Sequence, residues 1–162
     1  MHHTTRFTIA LIGLLGLLGP MGCQAESGRQ AIQSVLDRQT AAWNEGNIEG
    51  FMAHYWKSDE LTFVSSHQER DPKTGASRLA SETTHGWQAT LDRYKRRYPT
   101  PEAMGILSFS DLSIKRKSGD TAKVEGRFHL TRKQDTPTGR FTLNMRQING
   151  KWLIVRDHTT AD

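Results

Sequence analysis

The sequence predicts an α+β domain in which helices come first and a curved antiparallel sheet follows, the helices lying across one face of the sheet. Three observations carry this. Apolar residues recur at helical spacing through the first part of the chain, and the last third alternates in polarity with short turns between the runs. Within that last third, Asn149-Gly150 suits the two positive-φ positions of a tight type I′ turn and separates two alternating runs, which makes residues 139–160 a β-hairpin. A bent sheet with helices on its inner side leaves a pocket between them.

The bulk properties bound the rest. A chain of 162 residues, 35% of them apolar, can bury one real core but not two, so a single domain is expected. The formal net charge of +5 favours anionic surfaces. No RNA-binding aromatic signature, zinc-finger spacing or long basic helix accompanies it, and nucleic acid is not expected as a partner. The lone Cys23 excludes an internal disulfide and a cysteine-based metal site.

Residues 1–22 read as a targeting segment: Arg6 supplies a short positive region, and 7–18 form an apolar run of signal-peptide length, too short to span a bilayer comfortably. Cys23 follows directly, where bacterial lipoproteins carry the cysteine that is lipidated. Ordinary cleavage after Ala25, with Cys23 and Ala25 as the small residues of the site, is the alternative. Residues 23–29 are then a tether and 30–160 the domain. The expected address is outside the cytoplasm, as a periplasmic or outer-membrane lipoprotein of a bacterium or else as a secreted protein, and the expected membrane contact is a lipid on Cys23.

The first helix is read over 27–45, from the stripe Ile32, Val35, Leu36, Gln39 and Trp43, with Ser27 as its N-cap and Gly46 beyond its end. A short second helix starts at Asn47 and places Ile48, Phe51, Met52 and Tyr55 on one side. Residues 61–66 form a strand. Residues 68–84 are polar and hold the turn sequence Asp71-Pro72-Lys73-Thr74-Gly75, so they are expected to be a mobile loop. Helical spacing returns through Trp87, Leu91, Tyr94 and Tyr98, and Pro99 with Pro101 stops that helix. Residues 106–117 and 121–133 are strands about the turn Ser118-Gly119-Asp120, and with the hairpin they make a four-stranded antiparallel meander. In the hairpin, Phe141, Leu143 and Met145 share one face and Arg140, Thr142, Asn144 and Arg146 the other. After the turn, Trp152, Ile154, Arg156 and His158 oppose Leu153, Val155 and Asp157. The second hairpin strand is thus apolar on both sides at first, as suits an inner strand covered by helices on one side and by a partner subunit on the other.

Taken together, Ala41-Ala42-Trp43-Asn44-Glu45-Gly46-Asn47 followed by Phe51 and Tyr55, Gly86-Trp87, Gly119-Asp120-Thr121-Ala122, Gly139-Arg140-Phe141-Thr142, and Asn149-Gly150-Lys151-Trp152 leading to Asp157-His158-Thr159-Thr160 resemble the nuclear-transport-factor-2-like superfamily. Within it, the SnoaL-like, ketosteroid-isomerase-homologue domains are the group most similar. The resemblance covers residues 30–160 and implies a cone-shaped sheet wrapped around helices, commonly a homodimer through the outer sheet face. It fixes no reaction, because isomerases, cyclases, dehydratases and proteins without known activity share the fold.

Steroid isomerisation in this fold needs a carboxylate base facing the pocket and an oxyanion hole made from a Tyr and a protonated Asp. The first strand offers Val64-Ser65-Ser66 where the base is expected, and a serine cannot abstract a carbon-bound proton unaided. The candidate catalytic group is therefore His158, an acid or base near neutral pH if it faces the cavity. The candidate pocket residues are Tyr55, Trp87, Tyr94, His129, Asn144 and Arg146, with His129 or Arg146 placed to hold an anionic substrate. Core packing is the competing role for Tyr55, Tyr94 and Trp87. Neither a metal nor a cofactor is expected, since His54, His67, His85, His129 and His158 are dispersed without ligand spacing. The basic clusters Arg93, Lys95, Arg96, Arg97 and Lys115-Arg116-Lys117 are solvated faces, or contacts to anionic headgroups in a tethered domain. Three functions follow: a binding domain for a small, partly apolar molecule; an isomerase, cyclase or hydro-lyase using His158; or a dimeric interaction module with a filled core.

Overall fold

The structure is a computed structural model that describes residues 21–162, with side chains from residue 28 onward. Residues 1–20 of the predicted targeting segment, and the side chain of Cys23, lie outside the described residues. Among the described residues, four helices precede or interrupt one six-stranded sheet: α1 (Met21–Asn44), α2 (Ile48–Met52), β1 (Thr62–Arg70), β2 (Ser77–His85), α3 (Trp87–Arg97), α4 (Pro101–Met104), β3 (Ile106–Arg116), β4 (Thr121–Thr131), β5 (Thr138–Ile148) and β6 (Lys151–Ala161).

The first helix buries the stripe that its spacing predicts, with Ile32, Val35, Leu36, Gln39 and Trp43 all under 5% exposed. It begins at Met21, so Ser27 lies inside it rather than capping it, and the tether read over 23–29 is helical. Its C-terminal end is pinned to the sheet by Asn44, whose side chain donates to the Leu107 carbonyl at 3.1 Å and accepts from the Leu107 amide at 2.7 Å. One residue earlier, the Trp43 indole donates to the Met104 carbonyl. Gly46, at φ 73°, then turns the chain, and the Asn47 side chain caps α2 by accepting from the Gly50 amide. Pro101 does not merely stop a helix: it opens α4, which Thr100 caps.

The sheet order is β2-β1-β6-β5-β4-β3. The meander β3-β4-β5-β6 is antiparallel as predicted, and Asn149 (φ 50°) and Gly150 (φ 75°) both take the left-handed conformation the hairpin requires. Two expectations are corrected. The sheet is mixed, because β1 runs parallel to β6 along its far edge. Residues 68–84 are not a loop: β1 and β2, nine residues each, form an antiparallel hairpin, and only the turn around Asp71 matches the reading, with the Asp71 carboxylate accepting from the amides of Lys73 and Thr74. The hairpin escaped periodicity because β2, at the sheet edge, is polar on both sides; an edge strand pairs through its backbone and needs no apolar face.

A bulge in β6 sets which residues look inward. Met145 pairs with Ile154 but Asn144 pairs with Arg156, so Val155 is one extra residue on β6. Before it, Trp152 and Ile154 face the core; after it, Asp157, Thr159 and Ala161 take that face, because they pair with Leu143, Phe141 and Gly139. A second irregularity between Ser110 and Ser113, with Asp111 at φ 54°, bends β3. Bulges increase local bending, and the two of them help the sheet curl around α1 and α3.

Candidate functional site

The curled sheet and α1, α2 and α3 enclose a cavity of about 870 Å³. Nine aromatic side chains line it. Trp43 meets Phe51 edge to face at 5.1 Å and Tyr98 at 4.8 Å, Phe51 and Phe63 each reach Tyr94, and Phe109 lies 5.0 Å from Phe141. Such ring contacts add about 0.5–1.5 kcal/mol each beyond their buried area and stiffen the wall.

Into this apolar space the bulge delivers a carboxyl group. Asp157 is 4% exposed, flanked by Phe63 on β1 and Leu143 on β5. Tyr55 donates its hydroxyl to Asp157 Oδ2 at 2.7 Å, and Thr159 donates to Oδ1 at 3.0 Å. Tyr55 itself is held by a backbone bridge to Ile154, reinforced by the Trp56 amide on the Ile154 carbonyl at 2.9 Å and the Ile154 amide on the His54 carbonyl at 3.0 Å. Burial pushes the Asp157 carboxyl up to about 6, and the hydrogen bonds from Tyr55 and Thr159 restrain that rise. Burial, together with the neighbouring Asp157 charge, lifts both the Tyr55 and Tyr94 phenols well above their ordinary value, so both stay protonated donors.

The rim of the cavity is cationic. Arg93 pairs with Glu82 at 2.6 Å and lies over the Phe63 ring, and Arg132 grips Asp135 through two nitrogens at 2.6 and 2.7 Å. Arg96 and Arg97, exposed on the last turn of α3, also line the cavity and have no ion-pair or hydrogen-bond partner among the described residues.

Of the residues singled out from sequence, Tyr55 and Tyr94 line the cavity. Trp87 does not: its indole donates to the Met52 carbonyl at 3.0 Å and ties α3 to α2, while Lys57 covers its ring. His129, Asn144, Arg146 and His158 all fall on the outer face of the sheet. The expectation that His158 faces the cavity is thereby corrected. It pairs with Val64 and Thr142, and its Nε2 lies 3.1 Å from Ser66 Oγ, which in turn lies 2.7 Å from Ser81 Oγ. His129 makes a similar outer contact, with Ser110 Oγ at 2.8 Å. Alternation places Asp157 and His158 on opposite faces, and Asp157 is the one that takes the interior. The sequence carries a signal for this, since regular alternation from Trp152 would put Arg156 and His158 against the aromatic core. Among the described residues no group of three His, Cys, Asp or Glu side chains is placed to hold a metal ion, and no helix is long and apolar enough to cross a membrane.

No protein-family profile and no curated protein matches the chain. Solved structures do. An NTF-2 like protein of unknown function from Shewanella oneidensis MR-1 is 36% identical over 82% of this chain and 98% of its own, with a TM-score of 0.68. A putative scytalone dehydratase from Novosphingobium aromaticivorans (13% identity, 88% of this chain and 89% of its own, TM-score 0.62) and a ketosteroid isomerase-like protein from Erwinia carotovora atroseptica (15%, 82% and 94%, 0.59) share the fold. The curled sheet, the helices inside it and the identity to the Shewanella protein define an NTF2-like domain, and the chain belongs to the NTF2-like family.

Proposed function

We propose that this protein is a binding domain for a small, mostly apolar molecule, held in the cavity with a polar group of the ligand against Asp157 and Tyr55. The observation that carries the reading is the buried hydrogen-bonded pair of Asp157 and Tyr55 in an aromatic-lined cavity of about 870 Å³. That volume lies in the range of small-molecule pockets, which are mostly apolar with a few placed polar groups. A void of this size speaks against an interaction module with a filled core. The same reading takes 1–22 as an export signal, Cys23 as the lipid attachment point and the outer sheet face as the contact between two copies.

One observation favours a catalytic reading beside it. A carboxyl whose protonation changes near pH 6, beside a phenol that stays protonated, has the acid–base character an isomerase, cyclase or hydro-lyase requires, and Asp157 rather than His158 is then the acting group. Ser65 occupies the β1 position from which a separate base would reach the cavity, so the steroid isomerase mechanism does not carry over.

Thermal unfolding of the purified protein in the presence of a panel of apolar small molecules tests the binding. A ligand at about a hundred times its Kd adds about 2.7 kcal/mol and raises Tm by about 5–10 °C for a domain of this size. If no compound in the panel shifts Tm and native mass spectrometry finds no co-purifying molecule, the binding reading fails. For the address, a radiolabelled lipid precursor should mark the wild type and not Cys23→Ser; equal labelling of both would remove Cys23 as the anchor.

A further inference from the structure

Resting on the cavity-binding reading, we infer that the ligand is an anionic amphiphile: an aliphatic or aromatic body among the aromatic walls, and a carboxylate or comparable mono-anionic end at the rim against Arg96 and Arg97. Four arginines line the cavity, and two of them already have carboxylate partners, Arg93 with Glu82 and Arg132 with Asp135. The remaining two do not.

Basic residues in the last turn of a helix have an ordinary explanation, the attraction of positive charge to the helix C-terminus. That explanation covers all three cations of the turn equally, yet the three are used differently. Lys95 points away from the cavity to an ion pair with Glu49, whereas Arg96 and Arg97 line the opening. Guanidinium groups present a fork of donors that matches a carboxylate, and two adjacent forks at a pocket mouth form a receptor for one.

The interior sets the polarity of the ligand. Behind the arginines the walls are Trp43, Phe51, Phe63, Phe109, Phe128 and Phe141, where an unpaired charge would lose its hydration without compensation. The carboxyl buried there is that of Asp157, an acid that repels a second anion once it ionises. An amphiphile therefore enters with its apolar end first and leaves its anion at the rim. A polar group carried on the body, such as a hydroxyl or a carbonyl, meets Asp157 and Tyr55.

The test compares dodecanoate with dodecanol on the full-length protein, with binding followed by the fluorescence of Trp43 and the other indoles. Dodecanoate should bind about tenfold or more tightly than dodecanol in low salt, the advantage expected of charge-assisted hydrogen bonds. Half-molar salt should shrink that preference, because the rim is exposed. Arg96→Gln with Arg97→Gln should bring the two probes within about twofold of each other by weakening dodecanoate. A cooperative thermal transition within a few degrees of the wild type's shows that the variant is folded. Equal binding of both probes by the wild type overturns the anion assignment and leaves the apolar cavity reading standing; binding of neither overturns both. Arginine-dependent sedimentation with phosphatidylglycerol vesicles, without arginine-dependent dodecanoate binding, would assign the pair to a membrane surface and overturn the inference.

Discussion

Asp157 and His158 are neighbours in the chain and live in different solvents. Asp157 is buried among aromatic rings on the inner face of β6, where loss of hydration raises its carboxyl to about 6; His158 sits half-buried on the outer face, against Ser66. The outer face carries ion pairs such as Lys123 with Glu125 and Arg127 with Asp162, which are partly exposed and contribute little to stability. The inner face is mostly apolar and carries Asp157 as its buried acid. What separates the two neighbours is the single extra residue at Val155, which changes the side each later residue of β6 takes. Two faces of one strand thus do different work, and a backbone irregularity, more than residue chemistry, decides which side chain has access to the cavity.

The comparison breaks most severely if the strand beyond the bulge is moved by one residue. Inserting one alanine between Val155 and Arg156 puts that alanine opposite Asn144 and shifts the rest of β6 by one place, so that Arg156, His158 and Thr160 turn inward while Asp157 and Thr159 turn out; a one-residue slip exchanges the two faces. It would detach the carboxyl from Tyr55 and leave an arginine and a histidine in the aromatic wall. We expect a loss of about 4 kcal/mol or more, read as a collapse of the cooperative thermal transition. An insertion variant that melts normally, with Asp157 still titrating near pH 6, would show that the residue count through the bulge does not choose the inward residue.

The next effect sharpens the comparison through pH. Because the folded Asp157 holds its proton to about pH 6 while the unfolded side chain releases it near 4, the folded state binds more protons between those values. Stability contributed by this group is therefore greatest below about pH 4, falls as pH rises towards about 6 and levels off above it. Asp157→Asn cannot ionise and lacks this fall. Denaturant titrations at a series of pH values should show the stability of Asp157→Asn gaining on the wild type by up to about 3 kcal/mol between those limits. A constant gap would mean that Asp157 is not held in its acid form by burial.

The order of elements was legible because each of them buries a face with a clear period. The α1 stripe from Ile32 to Trp43 repeats at helical spacing, Ala122, Val124, Phe128 and Leu130 alternate along β4, and Asn149-Gly150 fixes one turn. The features that escaped have no period to read. The edge strand β2 pairs through its backbone and is exposed along almost its whole length, so nothing in Ser77–His85 marks it as strand. The parallel pairing of β1 with β6 is a long-range contact between segments some ninety residues apart, which no local pattern encodes. The bulge is subtler still: Trp152-Leu153-Ile154-Val155 is apolar on both sides, and an unbroken apolar run hides the place where alternation slips. Tyr55 and Tyr94 line the cavity, although the helical stripes they lie on read as core packing, whereas nothing but their chemistry points His129, Asn144, Arg146 and His158 towards it.

The smallest expected effect tests the outer side of the comparison. His158→Ala removes the imidazole from Ser66, but the Ser66 hydroxyl keeps its 2.7 Å contact with Ser81, so no buried polar atom is left without a partner. Deleting one member of a part-exposed hydrogen bond whose other member stays satisfied costs about 1 kcal/mol or less. Ligand affinity should not change at all, because the ring is separated from the cavity by the thickness of the sheet. Both quantities can be read from one set of thermal melts with and without dodecanoate: the apo Tm falls by a few degrees at most, and the ligand-induced shift equals that of the wild type. A smaller ligand-induced shift in His158→Ala would mean that the outer face feels the occupant of the inner one, and the two sides of β6 would then be a coupled pair instead of two separate environments.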